Sequence, residues 1–415
     1  MKTALILAGG LAQGDLAAKL RARGYYTIMA DYTPSPVGKS FADKFYCVST
    51  LDIGAIRNIV ISEKVDMIIT VCTDQAMVTV SRLSEELRLP CYIDAKTGLM
   101  MTNKAEMKVK FKDNEIPTSE FVIIDNEDGF GDAVSNIEYP MVVKPVDCNS
   151  SKGVRKVYDD CELENAVKDA KALSRQGKVI VEKFIKGREL SCDYFVVEGK
   201  AVLLSVSQSY KVKSDEKFVI SSSNYPAECV NEDIKNRILN IGQRIVDSYQ
   251  LKNCPMLVQM LYCNDELYVI EFSARTGGCI KHKLIENISG VDVIEKTIDI
   301  TENKISEIGS LNGKYKDKYI RNQFIYCKSG VFDHVNGFEE LKKQGLLDEY
   351  YILHSKGKKM GGASSSGDRI AAYTVVADTM EELKKKQSVI NENIRVLDEN
   401  NRDIIDRDIL MGEEI

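Results

Sequence analysis

Residues 255–278 read PMLVQMLYCNDELYVIEFSARTGG, and they predict a β-hairpin. The first strand, 256–262, is apolar apart from Gln259; the second, 267–272, runs into Glu271. Asn264, Asp265 and Glu266 between them form a short polar turn. Polar side chains inside buried strands need partners, because burying a carboxylate alone is costly. A hard divalent cation is one such partner: Mg²⁺ takes oxygen ligands, commonly one or two carboxylates together with substrate phosphates. Gln259, Glu271 and Ser273 are placed to converge on such an ion, and Arg275 to meet a phosphate bidentately. An edge hairpin whose Glu271 and Arg275 pair on the surface reads the same residues equally well.

The length of 415 residues suits two or three subdomains. With 44% hydrophobic and 28% charged residues, the composition is that of a globular chain. The net charge of −6 is well mixed and gives no electrostatic case for binding nucleic acid or a membrane surface. No apolar run approaches the ~20 residues of a membrane span. The opening Met-Lys leads into an apolar strand and not a secretion signal, so a cytoplasmic location is expected. Eleven cysteines are scattered, some in apolar strands (Cys72, Cys192, Cys327), with no CxxC pair; they read as reduced core thiols. Three histidines make a histidine metal site or a nucleophilic triad a poor reading.

Toward the amino terminus, 3–8 is an apolar strand. Gly9, Gly10 and Gly14 precede a helix over 15–23, and a second strand over 26–30 closes on Asp31. This βαβ unit has glycines in its first turn, but not at G-x-G-x-x-G spacing. Helix 53–63, strand 67–71, helix 74–87 and strand 91–93 continue the alternation and predict a four-stranded, doubly wound parallel sheet. Thr73, Asp74 and Gln75 open a helix at a strand's carboxyl end, where ligands bind in such sheets; Thr73 as a simple helix cap is the alternative.

Further on, 141–145 (MVVKP) is a buried strand presenting Lys144, and a phosphate is the simplest anion to meet it. The small-residue loop that follows holds Ser150, Ser151 and Gly153, whose amides can approach phosphate oxygens. A helix over 103–111 carries Lys104, and its neighbours Lys108, Lys110 and Lys112 read as solvated. Strand 179–181 leads into EKFIKGRE, 182–189. The lysine-rich 210–225 crosses the mouth of a site through one of Lys211, Lys213 or Lys217, or is a solvated loop. Helix 233–249 repeats Ile234, Ile238, Ile241 and Ile245 at helical spacing and supports the core.

Glu271-Phe272-Ser273-Ala274-Arg275 resembles the E-x-N-x-R element of the ATP-grasp superfamily, with serine where that pattern has asparagine. Gln259 resembles the large chain of carbamoyl-phosphate synthetase, and the following Arg-Thr-Gly-Gly resembles the L-amino-acid ligases. The likeness is strong over 104–292 and holds at fold level over the first hundred residues. It implies that Lys104 and Lys144 reach nucleotide phosphates under a loop with Ser150, Ser151 and Gly153. Glu182 and the backbone of Lys183, Phe184 and Ile185 would hold adenine, Glu189 a ribose hydroxyl, and Lys213 the ligand. Gln259, Glu271 and Ser273 would hold Mg²⁺ or Mn²⁺, and Arg275 would stabilise the transferred phosphoryl group.

The implied fold is mixed α/β and α+β. A Rossmann-like parallel sheet occupies 1–100 and a two-subdomain ATP-grasp fold 101–310, with a small lid at 115–185 and the nucleotide and metal site reaching to 292. A small carboxy-terminal α+β unit occupies 311–415. In that unit, strand 319–327, helix 338–344, a segment at 350–354, strand 370–377 and helix 379–397 are expected. Its Gly/Ser loop, 361–369, could cradle a phosphate but follows no lysine strand, and reads rather as a hairpin loop or lid contact; similar units with a Gly-Asp-Arg loop occur in amino-acid ligases of the superfamily. The implied activity is an ADP-forming ligase that activates a carboxylate as an acyl phosphate and passes it to an amine, giving an amide or dipeptide-like product. Its partners would be small molecules, not nucleic acid or membrane, and a homodimer is compatible. Purine-synthesis or carbamoyl-phosphate chemistry, a regulatory ATP-binding protein and a nucleotide-dependent oxidoreductase are the competing readings.

Overall fold

The computed structural model describes residues 1–125, 130–148, 152–212, 218–304, 307–411 and 413–414. At the amino terminus, Thr3–Leu7 sits between Tyr26–Asp31 and Met67–Ile69, and Lys44–Cys47 pairs with Tyr26–Asp31, all in parallel. Ala4, Leu5, Ile6 and Leu7 are fully buried, as a strand covered on both faces requires. The fourth strand is thus Lys44–Cys47 and not 91–93, which forms no strand. Residues 91–93 lie instead beside the large sheet, where the Tyr92 hydroxyl donates to the Ala274 carbonyl at 3.1 Å. The first helix starts at Leu11, so Gly14 lies inside it. The short 3₁₀ turn Val37–Phe41 packs against the chain here. A Cβ on Gly38 would lie 2.7 Å from the Gly10 carbonyl oxygen, so these glycines serve close packing. Thr73 precedes helix Asp74–Leu87 without a side-chain capping bond.

Beside a three-stranded antiparallel sheet in the carboxy-terminal unit, two antiparallel sheets carry the rest of the site. The smaller runs in the order Phe121–Ile124, Val179–Lys183, Met141–Pro145, Arg155–Val157. Along its main path the larger runs Glu266–Ser273, Cys254–Cys263, Arg188–Val197, Lys200–Val212, Ile220–Tyr225, Tyr319–Ile325, Ala371–Ala377, Glu349–Ile352. The carboxy-terminal unit therefore extends the sheet that begins with the hairpin. Its last predicted helix ends at Asn393, and the chain returns as strand Arg395–Asp398 against Gly330–Asn336. The alternation there, with Ile394 and Val396 fully buried and Arg395 exposed, has the period of a strand. The hairpin turn is two residues, Asn264 and Asp265, both at positive φ (49° and 64°), as a type I′ turn demands. Gln259 and Glu271 face each other across it.

Period-two alternation sorts the large sheet into two faces. Glu189, Ser191 and Asp193 pair with Ser209, Ser207 and Ser205, and Ser209 continues to Ser223 and Asn322 on one polar face. Leu190, Cys192 and Tyr194 form the opposite, apolar face under helix Glu232–Tyr249, whose Ile234, Ile238, Ile241 and Ile245 fill the core. No helix among the described residues is long and apolar enough to cross a membrane.

Gly242 lies inside that helix, and a Cβ there would sit 2.5 Å from the Tyr194 ring. The ring is buried and held by its hydroxyl's 2.8 Å bond to the Ile238 carbonyl. Alanine would contribute about 1 kcal/mol of helix propensity, but overpacking costs about 1–3 kcal/mol. Gly242→Ala is therefore expected to lower stability in urea unfolding; an unchanged or higher midpoint would show that the ring can yield.

Candidate active site

The smaller sheet and the hairpin enclose a cavity of about 470 Å³. Lys144 projects from strand Met141–Pro145 and is 6% exposed; its Nζ lies 2.5 Å from Glu182 Oε1. A phosphate was the anion expected to meet the buried Lys144; in this structure its partner is Glu182. The same carboxylate accepts from the Ser119 hydroxyl at 2.8 Å and lies 3.1 Å from Lys108 Nζ.

Lys108, expected to be solvated, is 1% exposed and also donates to Thr118 Oγ1 at 2.5 Å and the Val269 carbonyl at 3.3 Å. Helical spacing carries the missed signal, since Lys108 stands four residues from Lys104 on the same face. Burial lowers the Lys108 ammonium to about 8, although Glu182 opposes the drop. For Glu182, burial would raise the carboxyl, but Lys108 and Lys144 override it and hold it at about 2.

Lys104 opens helix Lys104–Asp113, capped by Asn103. Its Nζ donates to the Cys148 carbonyl at 2.7 Å and lies 3.4 Å from Glu271. Glu189 accepts from Gln259 Nε2 at 3.2 Å and pairs with Lys211 at 2.9 Å, so Lys211, one of the three candidate lysines, reaches the site. Ser150, Ser151, Lys213 and Lys217 lie outside the described residues. Gly153 has φ of +76°, and a Cβ there would meet Leu173 at 2.8 Å and Pro145 at 3.1 Å, so the position requires glycine. Lys183, Phe184 and Ile185 line the cavity. The Lys183 side chain turns outward to Glu138 at 3.2 Å, and the Lys183 and Phe184 amides donate to the Glu120 and Pro140 carbonyls at 3.0 Å each.

Arg275 and Ser273 do not line that cavity. Arg275 Nε and Nη2 donate to the two oxygens of Asp74, at 2.6 and 2.5 Å, and the Ser273 hydroxyl donates to the same carboxylate. Burial would raise the Asp74 carboxyl, but Arg275 keeps it below the ordinary range. The strand-end position at 73–75 thus enters the site through Asp74. A second chamber of about 800 Å³ adjoins the first and shares Cys148, Ile220, Gln259 and Glu271 with it; Asp74, Arg275, Lys281 and Arg369 are among its other walls.

Among the described residues no group of three His, Cys, Asp or Glu could by itself hold a metal ion. Glu271 and the Gln259 amide offer two oxygen donors opposite each other, on the wall common to both cavities. That set suits Mg²⁺ or Mn²⁺ when phosphates and waters complete the shell. Ser273 fits less well, since its hydroxyl is turned to Asp74.

Residues 137–283 match the family model described as "ATP-grasp domain". This chain contains an ATP-grasp domain. The curated relatives include the carbamoyl phosphate synthase large chain of Clostridium acetobutylicum, 24% identical over 297 residues, which cover 70% of this chain and 27% of the relative. D-alanine–D-alanine ligase of Thermosipho africanus is 31% identical over 195 residues, covering 44% of this chain and 52% of that enzyme. The chain thus spans only 27% and 52% of these two relatives. In fold it is similar to the L-amino acid ligase from Bacillus licheniformis, with a TM-score of 0.80 at 18% identity, covering 96% of this chain and 99% of that one. The likeness in fold extends beyond the matched segment to the amino-terminal parallel sheet and the carboxy-terminal strands.

The low Glu182 value has a definite sign in stability. Above about pH 4.5, the carboxylate is charged whether or not the chain is folded, and its pairing stabilises the fold; this contribution is lost as pH falls from 4.5 toward 2. The stability gap between the wild type and Glu182→Gln should therefore shrink over that window in denaturant titrations. A gap constant from pH 5 to pH 3 would show that Glu182 is not held low.

Proposed function

We propose that the protein is an ATP-dependent carboxylate–amine ligase that forms an acyl phosphate and releases ADP and phosphate. One observation carries the reading: Lys104, Lys144, Glu182, Glu189, Gln259 and Glu271 line one cavity, which shares a wall with a larger polar chamber. On this reading Glu182 and the Ile185 amide hold the adenine edge, and Glu189 holds a ribose hydroxyl. Lys144 and Lys104 anchor phosphates, so Lys144 exchanges part of its Glu182 contact for phosphate oxygens. Gln259 and Glu271 hold Mg²⁺, which when bound neutralises phosphate charge and favours in-line transfer. Arg275, fixed by Asp74, stabilises the transferred phosphoryl group from the side of the larger chamber. The larger chamber takes the carboxylate and then the amine. Ser150, Ser151 and Lys213 are proposed as phosphate-covering or ligand contacts, and the smaller sheet as the lid.

The Ser273–Asp74 hydrogen bond, which draws one expected metal ligand away, favours a second reading: an ATP-binding protein without turnover.

The test pairs binding with product analysis. Calorimetry is expected to show binding of ATP or ADP and none of NAD(H). With a competent acid and amine, one ADP and one phosphate should appear per amide formed. Lys144→Ala should slow turnover by about 10–100-fold, the worth of a charge-assisted contact of about 1.5–3 kcal/mol. Glu271→Ala should abolish Mg²⁺-dependent turnover, and Ser273→Asn should retain it. AMP and pyrophosphate as products would replace acyl phosphate with adenylate chemistry. ATP binding without turnover across an acid–amine panel would favour the second reading.

A further inference from the structure

The loop Gly361–Arg369 was expected to be a hairpin connection or lid contact, and the structure gives its last residue a defined environment. Asp368 folds back and accepts from the Ser364 amide and hydroxyl at 3.0 and 2.8 Å and from the Ser365 amide and hydroxyl at 2.8 and 3.2 Å. This closes the turn and leaves Asp368 facing its own loop. Arg369 points the other way, into the wall of the larger chamber, and is 8% exposed.

Its guanidinium lies 3.8 Å over the Phe324 ring. Nε donates to the Tyr326 hydroxyl at 2.9 Å and Nη2 to the Ile220 carbonyl at 3.3 Å. The Cys279 side chain also meets the guanidinium, and among the described residues no carboxylate forms an ion pair with Arg369. The other inward-facing cations of that chamber have acids: Asp74 at 2.5 Å from Arg275, and Asp193 at 3.4 Å from Lys281. A guanidinium this buried is costly without a counter-charge. It is also already held flat and oriented, with its fork only partly used, which is the arrangement that captures a planar or tetrahedral anion.

We infer that Arg369 binds a second anionic group, carboxylate or phosphate, on the substrate that fills the larger chamber. The inference rests on the ligase reading only for the word substrate. The group is not the carboxylate undergoing activation. Glu271 belongs to the first strand of the large sheet's path and Phe324, under Arg369, to the sixth. Five strand spacings are on the order of 20 Å before twist and side-chain reach shorten the span. The substrate set must therefore be long enough to present one carboxyl beside Glu271 and an anion beside Arg369.

The probes are malonate and inorganic phosphate, titrated calorimetrically into wild-type protein, Arg369→Gln, Arg369→Lys and Lys144→Ala. Arg369→Gln should weaken binding of at least one anion by about tenfold or more, as loss of a charge-assisted bidentate contact predicts. Arg369→Lys should recover part of it, while Lys144→Ala reports separately on any anion held in the smaller cavity. The anion that responds identifies carboxylate or phosphate as the preferred group. If Arg369→Gln does not fold, Arg369→Met takes its place, because it keeps an apolar stem against Phe324. Equal affinity in wild type and Arg369→Gln overturns the inference, as does binding lost only in Lys144→Ala, or no binding of either anion at roughly 10 mM. Arg369-dependent anion binding in a protein that turns over no acid would sink the ligase reading and leave the anion site standing.

Discussion

Glu182 is the charge on which the smaller cavity depends. Two ammonium groups from different elements, Lys108 on a helix and Lys144 on a strand, close on it, and Ser119 completes its shell. Because Lys108 also donates to the Val269 carbonyl, the carboxylate indirectly ties the smaller sheet to the hairpin of the large one. Removing one member of a buried pair typically costs about 3–5 kcal/mol, since the remaining charge is stranded. The cluster therefore sets the distance between the smaller sheet and the hairpin of the large one.

A second tie acts from the opposite side. Asp74 stands at the start of a helix of the amino-terminal α/β unit, yet its carboxylate is engaged by Arg275 and Ser273 of the hairpin. The parallel sheet thus supplies a residue that fixes the guanidinium beside the shared wall. A serine suits this role: its short hydroxyl reaches the neighbouring carboxylate and leaves room for Arg275 to take both oxygens.

What was legible in the chain was whatever local pattern determines. The hairpin with a short polar turn, the lysine-bearing strand and helix 233–249 all follow from alternation, turn chemistry and helical spacing, whereas the two-residue type I′ geometry and the pairing of Gln259 with Glu271 come from the structure. What was not legible depended on neighbours remote in sequence. Lys108 looks like one more lysine in a charged helix until Glu182 and Ser119 are packed against it. Residues 91–93 are as apolar as a strand, but the sheet edge is taken by Lys44–Cys47, which follows a short 3₁₀ turn. Gly14 reads as a turn glycine, whereas its place is under the close-packed 37–41 segment. The helix expected to run to 397 stops at Asn393 because the alternating Ile394 to Val396 stretch finds a strand partner.

The continuity of the large sheet has a consequence for how the chain can be divided. Strand Tyr319–Ile325 pairs along its length with Ile220–Tyr225, so the unit carrying it is hydrogen-bonded into the sheet and not hung from a linker. A chain cut after residue 318 would uncover a row of unpaired amides and carbonyls on Ile220–Tyr225. Open edges of that kind recruit other strands, in dimers or in aggregates. The carboxy-terminal segment thus works as an edge guard as well as a wall: it keeps the floor of the site from becoming an adhesive surface.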